Sequence, residues 1–361
     1  MTKRMWPRRP RLGRSHSRGR LCHTAGVGVF FLLVVSICSS VVFAGSDYSD
    51  KDLSVRFPSA FIRFRDVTTS GGETAANRRS SAVNPAAADW TDLPCELGVV
   101  LAPYYSHIQF KEGLRLHVMG EALTVDMGEW GTFQPTLGQM RSNRETDRFG
   151  VEFNYEADSL QLVWAKRFGD WGVGGLFNYG EAEMVNKLGP VRVSEGRAES
   201  YCFRVGGLYE PAAKWLTGLA LEYSFAPTRA TVLAATPLGP MSLGVKDTHE
   251  RIIVRPGISY EYQDQSTVFA DYQYGLFFND EDTLNCHRFN GGIDHRLLDW
   301  LFVRAGGFID VRGNVGWTCG LGAYFSKWCS IDVGYQYDTL PELRPEFGRS
   351  HTLQVALSVS L

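Results

Sequence analysis

Histidines and one acidic run are the residues whose types and spacing could serve chemistry. A serine hydrolase needs a hydroxyl within reach of its histidine. The nearest position on the same face of a strand is two residues later, and there His287 is followed by Phe289 rather than by serine. Alternation along that segment also directs His287 to the apolar face of a strand. The acidic run at 279–282 carries the ligand types that calcium prefers, and a solvated turn is the preferred interpretation. Neither feature predicts catalysis.

The other histidines do not form a recognisable metal site. Zinc sites combine histidine with cysteine or carboxylate ligands at short, characteristic spacings. We assign no such ligand set to His107, His117, His249 or His295. We therefore predict that the chain is not an enzyme, that it has no catalytic residue and no metal site, and that it needs no cofactor.

Strict alternation of apolar and polar residues is the strongest pattern in the chain. The stretch RFGVEFNYEADSLQLVWAKRFGD, residues 148–170, repeats its apolar positions every two residues, which predicts strands and excludes a helix. If Ala157-Asp158 and Gly169-Asp170 are two-residue turns, three strands stay in register. The middle strand has about the 9–11 residues that cross a bilayer at a tilt. In the first strand, this interpretation places Phe153 and Tyr155 on lipid.

The same alternation recurs to the end of the chain, with arginines and carboxylates sharing one face. Charges that face a sandwich core are costly unless each is paired, whereas charges that face a wet lumen are ordinary. Many tyrosines and tryptophans of the other face lie near strand ends, where membrane barrels carry aromatic girdles. We predict that the following side chains face the lumen of a barrel: Arg148, Glu152, Asn154, Glu156, Arg167, Arg204, Glu210, Arg251, Arg255, Glu261, Asp271, Gln273, Arg288, Asn290, Asp294, Arg304 and Asp310.

The predicted fold is an all-β transmembrane antiparallel β-barrel of about fourteen strands over residues 95–361, with twelve or sixteen as alternatives. Fifteen segments alternate, and both termini on one side of the membrane require an even number. The segment 112–125 is the one we discount. Long segments at 185–198, 227–247 and 339–349 are predicted to be outer loops.

Residues 1–44 are predicted to be a signal peptide, because a basic start precedes a short apolar run and small residues near Ala44. No later apolar stretch is long enough for a transmembrane helix. The whole chain has 37 basic and 39 acidic residues, and eight of the basic residues lie in this segment. Without the segment, 29 basic residues remain against 39 acidic residues, a net charge near −10. That charge argues against nucleic acid as a partner.

Residues 45–94 differ from the rest, since they are rich in small and polar residues and show no sustained alternation. The segment is predicted to be either a plug inside the barrel or a periplasmic segment. In the plug interpretation, the turn at Asn84, Pro85 and Ala86 lies near the inner wall, because small residues allow close approach to it.

Four short motifs resemble the FadL/TodX outer-membrane transport family: SAVNPAAADW at 81–90, TFQPTLGQM at 132–140, the hairpin at 287–310, and the closing HTLQVALSVSL. The resemblance implies a fourteen-stranded barrel, an N-terminal plug and transport of apolar solutes. The tight turn predicted at Ala157-Asp158 departs from the family, whose fatty-acid carriers have a long apolar loop there. Leu361 departs from the usual terminal aromatic residue.

The predicted function is passive uptake of hydrophobic small molecules, fatty-acid-like or aromatic, across the cell outer membrane. A general porin, or a structural outer-membrane protein without a dedicated substrate, is the alternative. The predicted partners are membrane lipid, lipopolysaccharide, the barrel-assembly machinery and the hydrophobic solute.

Overall fold

Fourteen strands form the barrel in a computed structural model of the chain. The structure describes residues 74–78, 81, 83–90, 98–143, 145–146, 151–236, 239–278, 283–326, 328–338, 340 and 347–361. The strands are β1 Val99–Phe110, β2 Arg115–Asp126, β3 Thr132–Ser142, β4 Val151–Phe168, β5 Trp171–Leu188, β6 Val191–Ala212, β7 Trp215–Thr236, β8 Gly239–Gln263, β9 Ser266–Phe278, β10 Thr283–Leu298, β11 Leu301–Asp310, β12 Val315–Ser326, β13 Cys329–Tyr337 and β14 Ser350–Ser360. The predicted signal peptide at 1–44, Arg148 and most of 45–94 lie outside the described residues.

The sheet closes on itself. Each strand pairs antiparallel with its neighbours in sequence, and β1 also pairs with β14, from Val100 opposite Ser360 to Phe110 opposite Ser350. A two-residue strand, Glu145–Thr146, continues the line of β3 along β4 and does not add to the ring. This closure confirms the predicted all-β antiparallel barrel of fourteen strands. We call the end where β1 begins and β14 ends the base, and the opposite end the mouth.

The number fourteen arises differently from the prediction. The discounted segment 112–125 contains a full strand, β2, which pairs with both β1 and β3. The segments 147–157 and 158–168, predicted as two strands, are one continuous strand, β4. The predicted turn at Ala157-Asp158 is therefore wrong, because both residues sit in the ladder, opposite Ala182 and Glu181 of β5.

Because β4 has no turn, its first half faces the opposite way from the prediction. Tyr155 is fully buried inside the barrel, whereas Glu156 is exposed on the outer face, 3.6 Å from Arg141. Glu152 and Asn154 share the face of Glu156 by strand alternation, so the prediction that these three residues line the lumen is wrong. The physical reason is that this end of β4 lies at the mouth, where the outer face carries charges and the apolar face fills the interior.

Strand length varies strongly around the ring. β6 and β7 have 22 residues each and β8 has 25, whereas β11 has 10 and β13 has 9. The extra length lies at the mouth, so most of the segments 185–198 and 227–247, predicted as loops, are strand. β5 and β6 meet in a tight turn in which Gly189 adopts a φ of 58°, a conformation that favours glycine.

The outer face of the barrel has an apolar belt between two rows of aromatic rings. Near the base, Trp171 stacks on Tyr209 with ring centroids 4.0 Å apart. Toward the mouth, Tyr201 stacks on Phe225 at 4.8 Å. Such girdles mark the two interfaces of a transmembrane barrel. One charged residue, Glu121, is exposed within this belt on β2, between Pro103 of β1 and Leu137 of β3.

No helix among the described residues has the length and apolar character needed to cross a membrane.

Candidate functional site

The inner wall of the barrel has two halves of different chemistry. On six neighbouring strands, β14 and β1 to β5, the described inward side chains are uncharged, apart from Asp126 and Arg167 at the base. We call this half the uncharged wall. Every strand from β6 to β11, and also β13, contributes charged side chains to the interior, and we call β6 to β13 the charged wall. A solute inside the barrel therefore meets two different surfaces.

The charged wall is organised by pairing between strands. The carboxylate of Glu222 on β7, with only 5% of its side chain exposed, accepts hydrogen bonds from the Nε atoms of Arg204 at 3.0 Å and Arg251 at 2.9 Å. The two arginines flank Glu222 from β6 and β8. Each arginine also donates through a second nitrogen, so the carboxylate is held in forks from both sides. Glu222 was not among the predicted lumen residues.

A second buried cluster lies on β10 to β13. Arg304 is paired with Asp332 and lies 3.6 Å from Asp294, which stands directly opposite it on β10. The pair with Asp332 crosses over β12 at Gly322, where a Cβ would lie 2.8 Å from the guanidinium and 2.6 Å from the carboxylate. Glycine is therefore needed at this point for the arginine and the aspartate to meet.

The remaining predicted residues of these strands also lie on the inner face, in contacts of several kinds. Arg255 bonds to Gln273, and Arg288 stacks over Phe308 at 4.2 Å. Asp310 accepts from the backbone of the turn that follows β11 and stabilises it. The predicted residues that the structure places on the inner face are Arg167, Arg204, Glu210, Arg251, Arg255, Glu261, Asp271, Gln273, Arg288, Asn290, Asp294, Arg304 and Asp310.

The uncharged wall carries an apolar cluster at the mouth, which sequence reasoning missed. We call it the mouth cluster, and its buried members are Ile108, Phe110, Leu114, Leu116, Val118, Met140, Tyr155, Ala157 and Ala182. Phe347, from the segment before β14, packs against it with its ring 5.7 Å from that of Phe110. The available signal was the alternation of β4, whose odd-numbered positions stay uncharged from Phe153 to Ala165 without a change of phase.

The described residues between 74 and 90, which we call the inner segment, lie against the inner wall near the base. The side-chain amide of Asn84 donates to the carbonyl of Gly207 on β6 at 3.0 Å and to that of Ala75 at 2.7 Å. Its Oδ1 accepts from the amide of Ala86 and begins a short 3-10 helix at Pro85. One asparagine thus joins two parts of the inner segment to the barrel.

Inward glycines on four consecutive strands make room for the inner segment. A Cβ added to Gly174 of β5 would lie 2.5 Å from the amide nitrogen of Ala86. A Cβ added to Gly206 of β6 would lie 2.0 Å from the Oδ1 atom of Asn84. At Gly218 of β7 it would lie 2.0 Å from the carbonyl oxygen of Ala75. On β8, a Cβ added to Gly257 would lie 3.0 Å from the amide nitrogen of Ala76. The backbone of the segment and the backbone of the wall are in direct contact at these points.

Hydrogen bonds extend this contact around half of the ring of strands. At one end, Asp271 of β9 accepts from the amide of Ala75 at 3.1 Å. At the other end, Asp89 accepts from the Thr132 hydroxyl of β3 at 2.6 Å and from the Arg167 amide of β4 at 2.7 Å. Trp90 lies beneath the Arg167 guanidinium, 4.4 Å from it. The inner segment is therefore bonded to strands from β3 to β9.

A cavity of about 260 Å³ lies between the inner segment and the charged wall at the base. Its lining mixes cations and carboxylates with apolar rings: Arg78, Lys214, Glu261 and Asp294 occur together with Trp90 and Phe269. Arg78 lies 3.6 Å from Glu210 and 3.9 Å from Glu261, so ion pairs cross between the inner segment and the wall. Within the described part of the chain, no group of three potential metal ligands occurs.

Solved structures share this architecture. The Pseudomonas putida toluene transporter TodX superposes with a TM-score of 0.54 at 9% identity, over 82% of this chain and 98% of that one. The Ralstonia pickettii toluene transporter TbuX gives 0.55 at 13% identity, and a Pseudomonas aeruginosa FadL homologue gives 0.52 at 11%, each over 82% and 98% of the two chains. The barrel has the fold of these proteins.

The resemblance to the FadL/TodX family that the short motifs predicted is thus confirmed at the level of fold. At 9–13% identity these structures show the fold and leave the solute open. Neither a protein-family model nor a curated protein matches the sequence.

Proposed function

We propose that this protein is an outer-membrane channel for the passive uptake of hydrophobic small molecules. The observation that carries the proposal is the uncharged wall, six neighbouring strands wide, with the mouth cluster at its outer end. The half-buried side chains packed against this cluster, such as Phe153, Met184 and Phe347, expose apolar surface inside the barrel. An apolar solute that binds to such a surface is removed from water, which is favourable. Ligand sites of this kind are mostly apolar with a few polar groups, as this wall is.

The proposal includes a plug formed by residues 45–94. It is supported by the contacts of the inner segment, which follow the wall from β3 to β9 and are fitted to four inward glycines. The proposal also places the base in the periplasm, with the signal peptide at 1–44 removed during export. Insertion by the barrel-assembly machinery and contact with lipopolysaccharide belong to it. The names of the solved neighbours, toluene transporters and a FadL homologue, point to the same class of solute.

A general porin is the competing function. A porin needs a wide, wet lumen in which charged residues act on passing ions. In the two clusters at Glu222 and Arg304, the arginines and carboxylates of the charged wall instead pair with one another. Pairing of this kind narrows the lumen on that side and reduces the net field that an ion would meet. The charged wall therefore does not favour the porin.

Uptake by intact cells tests the proposal. A Gram-negative host without its own hydrophobic-compound channels would express the full chain, and entry of a labelled monoaromatic hydrocarbon would be followed. We expect faster entry than in cells that carry the empty vector. Variants with a glutamate on the uncharged wall, at Val118 or Ala157, should lose most of this gain. Equal entry with and without the protein would refute the proposal.

Bilayer conductance tests the plug. The intact barrel should conduct ions poorly, whereas a variant that lacks residues 47–90 should fold and conduct like an open pore. If the intact protein already conducts and the deletion changes nothing, residues 45–94 are a tail and the porin becomes the better assignment.

A further inference from the structure

Two polar side chains on the uncharged wall are buried side by side. Gln354 of β14 and Ser106 of β1 stand directly opposite each other in the ladder, and both point into the barrel. Their exposed fractions are 1% and 0%. Within the described part of the chain, neither the amide of Gln354 nor the hydroxyl of Ser106 has a hydrogen-bond partner. Native proteins rarely leave such groups unpaired, so each calls for an explanation.

The surroundings of this pair are polar on one side and apolar on the other. On β14, the inward residues are Ser350, Thr352, Gln354, Ala356, Ser358 and Ser360, an almost unbroken polar stripe without charge. On the other side, Ser106 is followed at the next inward position of β1 by Ile108 and stands opposite Val118 of β2. Both of these residues belong to the mouth cluster. A hydrogen-bonding pair thus borders an apolar surface.

We propose that this site binds the head of a neutral amphiphile, an apolar molecule with one hydrogen-bonding oxygen such as an alcohol, phenol or carbonyl group. The inference rests on the proposed function and narrows its substrate class. The amide offers both a donor and an acceptor, and the hydroxyl offers the same, so together they match an oxygen that donates and accepts. A pure hydrocarbon would leave both groups unpaired.

An anionic head fits the site less well. Among the described residues of the uncharged wall, the inward cation is Arg167, which lies at the base and not at this level. On the charged wall across the lumen, Arg204 and Arg304 are held by carboxylates, Arg255 bonds to Gln273 and Arg288 stacks over Phe308. A carboxylate solute would lose its hydration without gaining a counter-charge. The geometry therefore selects for neutral heads.

Three solutes of one size separate these classes: ethylbenzene, 2-phenylethanol and phenylacetate. Their binding to the full-length protein in lipid nanodiscs would be measured by titration, with empty nanodiscs as the blank. We expect Gln354→Leu to weaken binding of 2-phenylethanol roughly tenfold, the size expected for about one lost hydrogen bond, and to leave ethylbenzene unchanged. Ser106→Ala should act in the same direction and covers the case in which Gln354→Leu fails to fold.

Gln139→Leu is the matched control, because this glutamine is exposed on the outer face of β3 and should affect none of the solutes. If all three solutes bind and the ratio of alcohol to hydrocarbon binding is unchanged by either variant, the two groups hold ordered water only and the inference is wrong. Tighter binding of phenylacetate than of the alcohol would also overturn it. If no solute binds above the blank, the proposed function itself fails.

Discussion

The side-chain oxygen of Asn84 occupies the space that a Cβ on Gly206 would need, 2.0 Å from its ideal position. Gly206→Ala should therefore displace the inner segment from β6 while the ring of strands stays intact. Hydrogen exchange of the amides of Ala86 and Ala87, which bond to Asn84, should accelerate. Gly175→Ala, which points outward into open space, is the control and should leave exchange unchanged. Protected amides in Gly206→Ala would show that the wall yields instead.

Labelling of single cysteines tests the orientation of β4. In a background with the native cysteines replaced by serine, a thiol reagent that cannot cross the membrane should label Glu156→Cys rapidly on intact cells. Tyr155→Cys should react far more slowly, because Tyr155 is fully buried in the mouth cluster. The reverse order of reactivity would restore the turn at Ala157-Asp158.

Glu222→Gln tests the central cluster of the charged wall. The substitution leaves the guanidinium groups of Arg204 and Arg251 without their shared carboxylate, and breaking a buried pair in this way costs about 3–5 kcal/mol. Urea unfolding in lipid should show a loss of this order in the free energy of unfolding. Glu183→Gln is the control, since its pair with Arg197 is exposed and worth about 0–1 kcal/mol. Equal losses would mean that the charged wall contributes no specific stability.

Glu121→Leu should stabilise the barrel. Glu121 is exposed within the apolar belt, and a lipid-facing acidic residue costs less than the ~2–4 kcal/mol of an arginine at the midplane but is still unfavourable. Removing the charge should raise the urea midpoint in lipid. Glu129→Leu, in the exposed turn after β2, should not. A lower midpoint for Glu121→Leu would indicate a stabilising role for the carboxylate.

Alternation predicts the faces of a strand but not which face points inward. On β6 to β11 the polar face is inner and the apolar face meets lipid, as the sequence indicated. At the mouth end of β4 the relation is reversed, because the outer face there carries charges such as Glu156 and Asp158. The period of two is the same in both cases. The change from water to lipid shows only in the even-numbered positions of β4, which are polar from Glu152 to Asp158 and apolar from Leu160 to Trp164.

Contacts between residues that are distant in the chain could also not be predicted from the sequence. The need for glycine at Gly206 exists only because Asn84 lies against it, 122 positions earlier in the chain. Glu222 was overlooked for a similar reason, since its importance comes from two arginines on the neighbouring strands. The predicted strand count agrees with the structure because two errors cancel: the segment 112–125 contains a strand, β2, and the segments 147–157 and 158–168 form one strand, β4. Local alternation shows that strands are present, but it does not show where a strand ends.

The division of the interior into two walls affects how a solute would move through the barrel. In the proposed channel, a solute that binds to one wall diffuses along that wall instead of through the open volume of the lumen. Its speed then depends on how strongly each stretch of that wall retains it, and hardly on the free cross-section of the barrel. Solutes that adhere too tightly travel slowly, and solutes that adhere too weakly never enter. Under the proposed function, selection among solutes therefore follows their affinity for this wall more than their size.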